Sequence, residues 1–163
     1  MEESSTTNKI IVAGIGNLLM GDDAFGPEVI KALEKETLPD NVEIRDMGTA
    51  GLTVATELAD YDTVIFVDSM EMPEEPGTLK HMRVEVNTIT PKEALELSRV
   101  TVHEVGLEGL LKFSKAIGTL PETVYIIGCK PEKIGVIYGL SGCVRDAVPE
   151  AVKQIKNIIK KRI

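Results

Sequence analysis

Cysteine and histidine are scarce in this 163-residue chain, with two of each. Cys129 and Cys143 stand alone rather than in a CxxC pair, which argues against a zinc knuckle or a dithiol redox motif and leaves two reduced, partly buried thiols. Positive charge is also outnumbered, with 18 Lys and Arg against 26 Asp and Glu, for a net charge of −8. Phosphate binding is driven by Lys and Arg, so nucleic acid and anionic lipid are poor partners. An acidic surface instead suits a protein partner or a cation. No apolar run approaches the roughly 18 residues of a membrane span. No GxSxG nucleophile elbow is present, and no repeat, low-complexity tract or linker interrupts the chain. The opening MEESSTTN lacks the basic-then-apolar order of a signal peptide. The expectation is a flexible tail over residues 1–8, a single α/β domain over 9–163, and a cytoplasmic protein.

What the chain does have is alternation. The stretch from Ile10 to Val29, IIVAGIGNLLMGDDAFGPEV, joins an apolar run to a glycine turn (Gly14, Gly16), an acidic pair (Asp22, Asp23) and a helix start at Gly26-Pro27. That is the order of a buried strand, a loop at its carboxyl end and a helix, here running to about Glu36. Val42 to Met47 alternates as a second strand, and Gly48-Thr49-Ala50-Gly51 turns into a short helix, Leu52 to Ala59. Thr63 to Val67 reads as a central strand ending in Asp68. Gly77 to Val86, with alternating charged positions, reads as an edge strand that can run antiparallel. Pro91 to Leu97 is a short helical piece, and Val100 to Glu104 leads into a helix from about Gly106 to Ala116. Thr123 to Gly128 is another buried strand, and Pro131 to Ile137 a turn with a short extended piece. The last helix is expected to use Asp146 as its N-cap, with Pro149 as the third helical residue, where its missing N–H costs no helical bond. Alternating strands and helices predict the α/β class: a mostly parallel, twisted sheet with helices on both faces.

In such a sheet, ligands bind in the crevice beyond the carboxyl ends of the strands. Gly14-Ile15-Gly16 satisfies two glycines of a dinucleotide-binding GxGxxG, and Asp46 could mimic the ribose-binding acid. Leu19, however, takes the third glycine's place, and Asp22 and Asp23 would set negative charge beside a pyrophosphate. As cation ligands the same acids fit better. Asp22 or Asp23 follows the first strand, Asp68 ends a central strand, and His103 precedes a helix, so all belong to one rim. Two carboxylates and an imidazole suit a divalent transition metal such as nickel or zinc, and three protein ligands leave positions open for substrate or water. Each has a plainer role available: one of the two aspartates is expected to cap the helix, Asp68 could cap a turn, and His103 could be a satisfied loop residue. His81 lies in a charged, alternating strand and is expected to be solvated.

The motifs GIGNLLMGDDAFG, GTAGL from Gly48, VIFVDSM ending at Met70 and HEVGLEGLL from His103 resemble, in order and spacing, those of the hydrogenase maturation endopeptidases. The segment GCKPEKIGVIYGLSGCVRDAV resembles the branch serving formate-linked and coenzyme F420-reducing hydrogenases. The resemblance implies a three-layer α/β/α sandwich. It also implies an endopeptidase that removes the C-terminal extension of a nickel-iron hydrogenase large-subunit precursor after nickel insertion. By position, it makes Asp23, Asp68 and His103 the metal-contacting and catalytic residues, and Gly48, Thr49, Ala50 and Gly51 the substrate-recognition turn. The nickel would arrive with the substrate, so no permanent metal is expected. A monomer meeting its precursor transiently is the expected state. Two rival readings are a non-catalytic, nickel-dependent precursor-binding module and a nucleotide-binding domain.

Overall fold

The protein is described by a computed structural model, which defines residues 8–49, 52–88 and 106–162. Five strands, β1 (Ile10–Gly14), β2 (Val42–Asp46), β3 (Thr63–Ser69), β4 (Leu79–Val84) and β5 (Thr123–Cys129), form one sheet in the order β2-β1-β3-β5-β4. β1, β2, β3 and β5 are parallel, and β4 pairs antiparallel with β5 at the edge. Among the described residues three α-helices flank the sheet: α1 (Phe25–Leu33), α2 (Leu107–Ile117) and α3 (Gly142–Arg162). A 3-10 segment at Leu52–Asp60 replaces the expected short helix.

Alternation within the strands sorts the core into two faces, because successive side chains point to opposite sides of a sheet. Ile10 and Val12 of β1, Ile65 and Val67 of β3 and Ile127 of β5 pack with Val29, Ile30 and Leu33 of α1 and Val152 and Ile155 of α3. Ile11, Ala13, Val64, Phe66, Val124 and Ile126 face the other way, onto Leu58 of the 3-10 segment and Leu107 and Leu110 of α2. The result is the expected three-layer α/β/α arrangement.

Three further expectations change. The last helix does not begin after Asp146 but at Gly142, which leaves Pro149 in its interior. An interior proline cannot donate to the carbonyl four residues earlier, a defect costing about 3 kcal/mol. Here Pro149 faces solvent, where water can serve the Arg145 carbonyl. Starting the helix earlier buries Val144 and Ala147, which offsets the loss. Asn8, assigned to the tail, is tied to the body: its amide donates to the Arg162 carbonyl at 3.1 Å, and its own carbonyl accepts from Asn41 at 2.6 Å. Neither Asp22 nor Asp23 caps a helix through its side chain. The helical piece expected at Pro91–Leu97 and the Val100–Glu104 lead lie outside the described residues.

Candidate active site

The order β2-β1-β3 reverses the direction of winding between β1 and β3, because α1 crosses on one face of the sheet and the Leu52–Asp60 segment on the other. Beyond the carboxyl ends of those two strands lies the crevice where open α/β sheets bind ligands. The Ile15 N–H donates to the Val67 carbonyl at 2.8 Å, locking the β1 exit to the β3 exit. Asp23 enters the crevice from the loop after β1, and Asp68 stands near the end of β3.

The loop is shaped to aim Asp23. Gly16 has φ 144°, and a Cβ built on it would lie 1.9 Å from the Asp23 carbonyl oxygen, so no other residue fits beneath the turn. Asp23 Oδ2 accepts from the Asn17 backbone N–H at 2.9 Å, and Oδ1 accepts from the Ser69 hydroxyl at 3.2 Å. Asn17 in turn accepts the Leu19 N–H on its own side chain at 2.9 Å. The half-buried Asp23 carboxylate is therefore held from both sides with its orientation fixed.

Asp68 is held differently. Burial, the neighbouring Asp23 charge and a smaller opposing hydrogen bond from Ser69 leave its carboxyl pushed up to about 7. Among the described residues, neither Asp23 nor Asp68 forms an ion pair with a cation. Two adjacent carboxylates in a partly desolvated crevice are the arrangement that a divalent cation relieves, since each gains charge neutralisation it otherwise lacks.

Asp22, fully buried beside Asp23, has a separate task. Its Oδ2 accepts from the backbone N–H groups of Glu132 at 2.9 Å and Lys133 at 2.8 Å and from the Ser141 hydroxyl at 2.8 Å, while Oδ1 accepts from the Ser141 N–H at 2.7 Å. Burial alone would raise its pKa, but these four donors outweigh it and the net shift is downward. The partners lie more than 100 positions away in sequence, so local reading could not find them. The Ser69 hydroxyl was missed as well, although it directly follows Asp68.

The Gly48 turn lies against the same motif. Gly48 has φ 60° and nothing within 4 Å of a built Cβ, its carbonyl accepts from the Gly16 N–H at 2.7 Å, and its own N–H donates to Asp46 at 2.8 Å. Asp46 thus holds the turn rather than standing free for a ribose. Thr49 is exposed beside it, while Ala50 and Gly51 lie outside the described residues. His103 also lies outside them. His81 is exposed on β4, as expected. Among the described residues, no group of three His, Cys, Asp or Glu side chains could hold a metal ion, so a three-ligand set needs a further residue. No described helix is long and apolar enough to cross a membrane.

Residues 27–158 match the hydrogenase maturation protease family model. The chain belongs to the hydrogenase maturation protease family. It is 38% identical over 157 residues to the coenzyme F420 hydrogenase subunit delta of Methanothermobacter thermautotrophicus, covering 90% of this chain and 92% of that protein. Among solved structures, it resembles a hydrogenase 2 maturation peptidase from a Thaumarchaeota archaeon at 46% identity and TM-score 0.73, over 93% of this chain and 98% of that one. It also resembles the hydrogenase maturating endopeptidase HybD of E. coli at 30% identity and TM-score 0.77, over 94% and 93% of the two chains. This maturation protease is accordingly a peptide-bond hydrolase of the hydrogenase system. Membership displaces both the nucleotide-binding and the non-catalytic readings.

Proposed function

We propose that this maturation protease removes the C-terminal extension of a nickel-iron hydrogenase large-subunit precursor once nickel is in place, with the nickel belonging to the substrate. The observation that carries the reading is the convergence of Asp23 and Asp68 at the switch-point crevice, without a cation to neutralise them among the described residues. A precursor's exposed divalent metal supplies that missing charge. Asp23 and Asp68 contact it, His103 completes a carboxylate–carboxylate–imidazole set, and the scissile bond is thereby held beside the crevice. A bound divalent metal polarises a carbonyl or activates a water. Ser69 and the Asn17 N–H keep Asp23 aimed throughout, and the metal's charge favours the ionised form of Asp68, whose carboxyl burial and the Asp23 charge otherwise push up. The open turn at Gly48, with Thr49, Ala50 and Gly51, receives the backbone of the precursor. The protease carries no permanent metal, and works as a cytoplasmic monomer that meets its precursor transiently.

The test is precursor processing by Asp23→Asn, Asp68→Asn and His103→Ala. Each is expected to lose cleavage by at least 100-fold with an unchanged circular dichroism spectrum, an effect typical of removing one transition-state interaction. Undiminished cleavage in all three would remove them from the mechanism.

A further inference from the structure

Seven large hydrophobic side chains stand exposed among the described residues, and five of them sit on two loops that are bonded to each other: Leu19, Ile134, Val136, Ile137 and Tyr138. Val136 is 90% and Tyr138 77% exposed. Scattered exposed apolar residues are ordinary, but five concentrated on two mutually bonded loops point to an interaction surface. The two loops are joined by the Gly21–Ile134 bridge and by the Gly21 N–H donating to the Ile137 carbonyl at 2.7 Å. The Asp22 N–H reaches the Lys133 carbonyl at 3.0 Å. The four bonds to the Asp22 carboxylate then fix both ends of the 132–141 segment. A buried charge is thus committed to holding an apolar, solvent-facing loop in one shape. That is the preorganisation a binding surface needs, since ordering a floppy loop on binding would cost affinity.

The two loops also adjoin the catalytic crevice along the chain. Leu19 lies between Asn17, whose N–H holds Asp23, and Gly21, whose N–H holds the second loop. The second loop follows β5, the strand beside β3 and its Asp68. A polypeptide whose scissile bond reaches Asp23 and Asp68 therefore has the Gly48 turn on its β2 side and this patch on its β5 side.

We infer that Leu19, Ile134, Val136, Ile137 and Tyr138 form the docking face for apolar side chains of the precursor flanking the cleavage site. The Asp22 carboxylate ties the 132–141 loop of this face to the loop that carries Leu19. This inference rests on the proposed processing activity and deepens it by naming the surface that selects the substrate.

The experiment is steady-state cleavage of a matched, nickel-loaded large-subunit precursor by the full chain and by the triple variant Leu19→Ser, Val136→Ser, Tyr138→Ser. These side chains are largely exposed, so the thermal midpoint is expected to hold. The inference predicts a KM raised tenfold or more, with kcat changing far less. Asp68→Asn, measured alongside, is expected to lose kcat instead. A KM within twofold of the unaltered chain, while that chain cleaves normally, overturns the docking face and leaves the processing activity standing. Failure of the unaltered chain to cleave the loaded precursor overturns both. Sedimentation of the unaltered chain as a dimer that the triple variant breaks, with KM unmoved, would assign the patch to a second copy and overturn the inference.

Discussion

Replacing Asp68 with Asn is expected to make the protein more stable and inactive at once. In the folded state the Asp68 carboxyl is pushed from 3.8 to about 7, by burial first and the Asp23 charge second, so its ionised form is disfavoured by folding. The sign follows directly. Below pH 3.8 the group is protonated in both folded and unfolded chains and folding suffers no penalty; as pH rises through about 7 that relative stability is lost. At about 1.4 kcal/mol per pH unit, the full effect would be about 4 kcal/mol. Asp68 is only partly buried and water screens its charge, which reduces the gain to about 2 kcal/mol. Asn keeps an oxygen for the Ser69 N–H and loses the charge. Urea unfolding of both proteins at pH 5 and pH 8 measures it: the variant's advantage should be small at pH 5 and reach about 2 kcal/mol at pH 8. A variant less stable than the parent at pH 8, or a difference independent of pH, would refute the reasoning. A residue kept for stability shows the opposite sign, which is why this perturbation separates function from structure.

The neighbouring aspartate should behave in the reverse manner. Asp22→Asn points an NH2 group at one of four donors, and is expected to cost about 2–4 kcal/mol in urea unfolding at pH 7. Because the Asp22 pKa is depressed, its stabilisation is present above 3.8 and fades as pH falls through the folded value, so parent and variant should converge in acid. Gly16→Ala places a methyl against the Asp23 carbonyl and is expected to cost about 3 kcal/mol or more, or to prevent recovery of folded protein, by thermal melting. Cys129 is buried with its thiol pushed up to about 12, so iodoacetamide at pH 8 should leave it unmodified in the native protein, with any adduct found by mass spectrometry at Cys143.

The sheet was legible because its strands are either continuous β-branched runs or strict alternations. TVIFV reads as central because it is apolar on both faces, and LKHMRV reads as an edge because it carries a cation on each face, Lys80 on one and Arg83 on the other. The start of α3 was not legible, since capping rules favour Asp146 and Pro149, and the opposing advantage, burial of Val144 and Ala147, is visible only once α3 lies on the sheet. At the site, Asp68 was legible from its place at a strand end. Asp22 and Asp23 are adjacent and chemically identical, so composition and spacing could not divide their roles. The division is made by tertiary partners, Ser69 and Asn17 for one and the 132–141 segment for the other.

The central claim is tested most directly by the intact mass of a matched large-subunit precursor after incubation with this protease, with the precursor loaded with nickel or free of it. The account predicts loss of one discrete C-terminal peptide from the loaded form alone. Equal cleavage of both forms would contradict the role of nickel as part of the recognised substrate, and unchanged mass in both would contradict the processing activity itself.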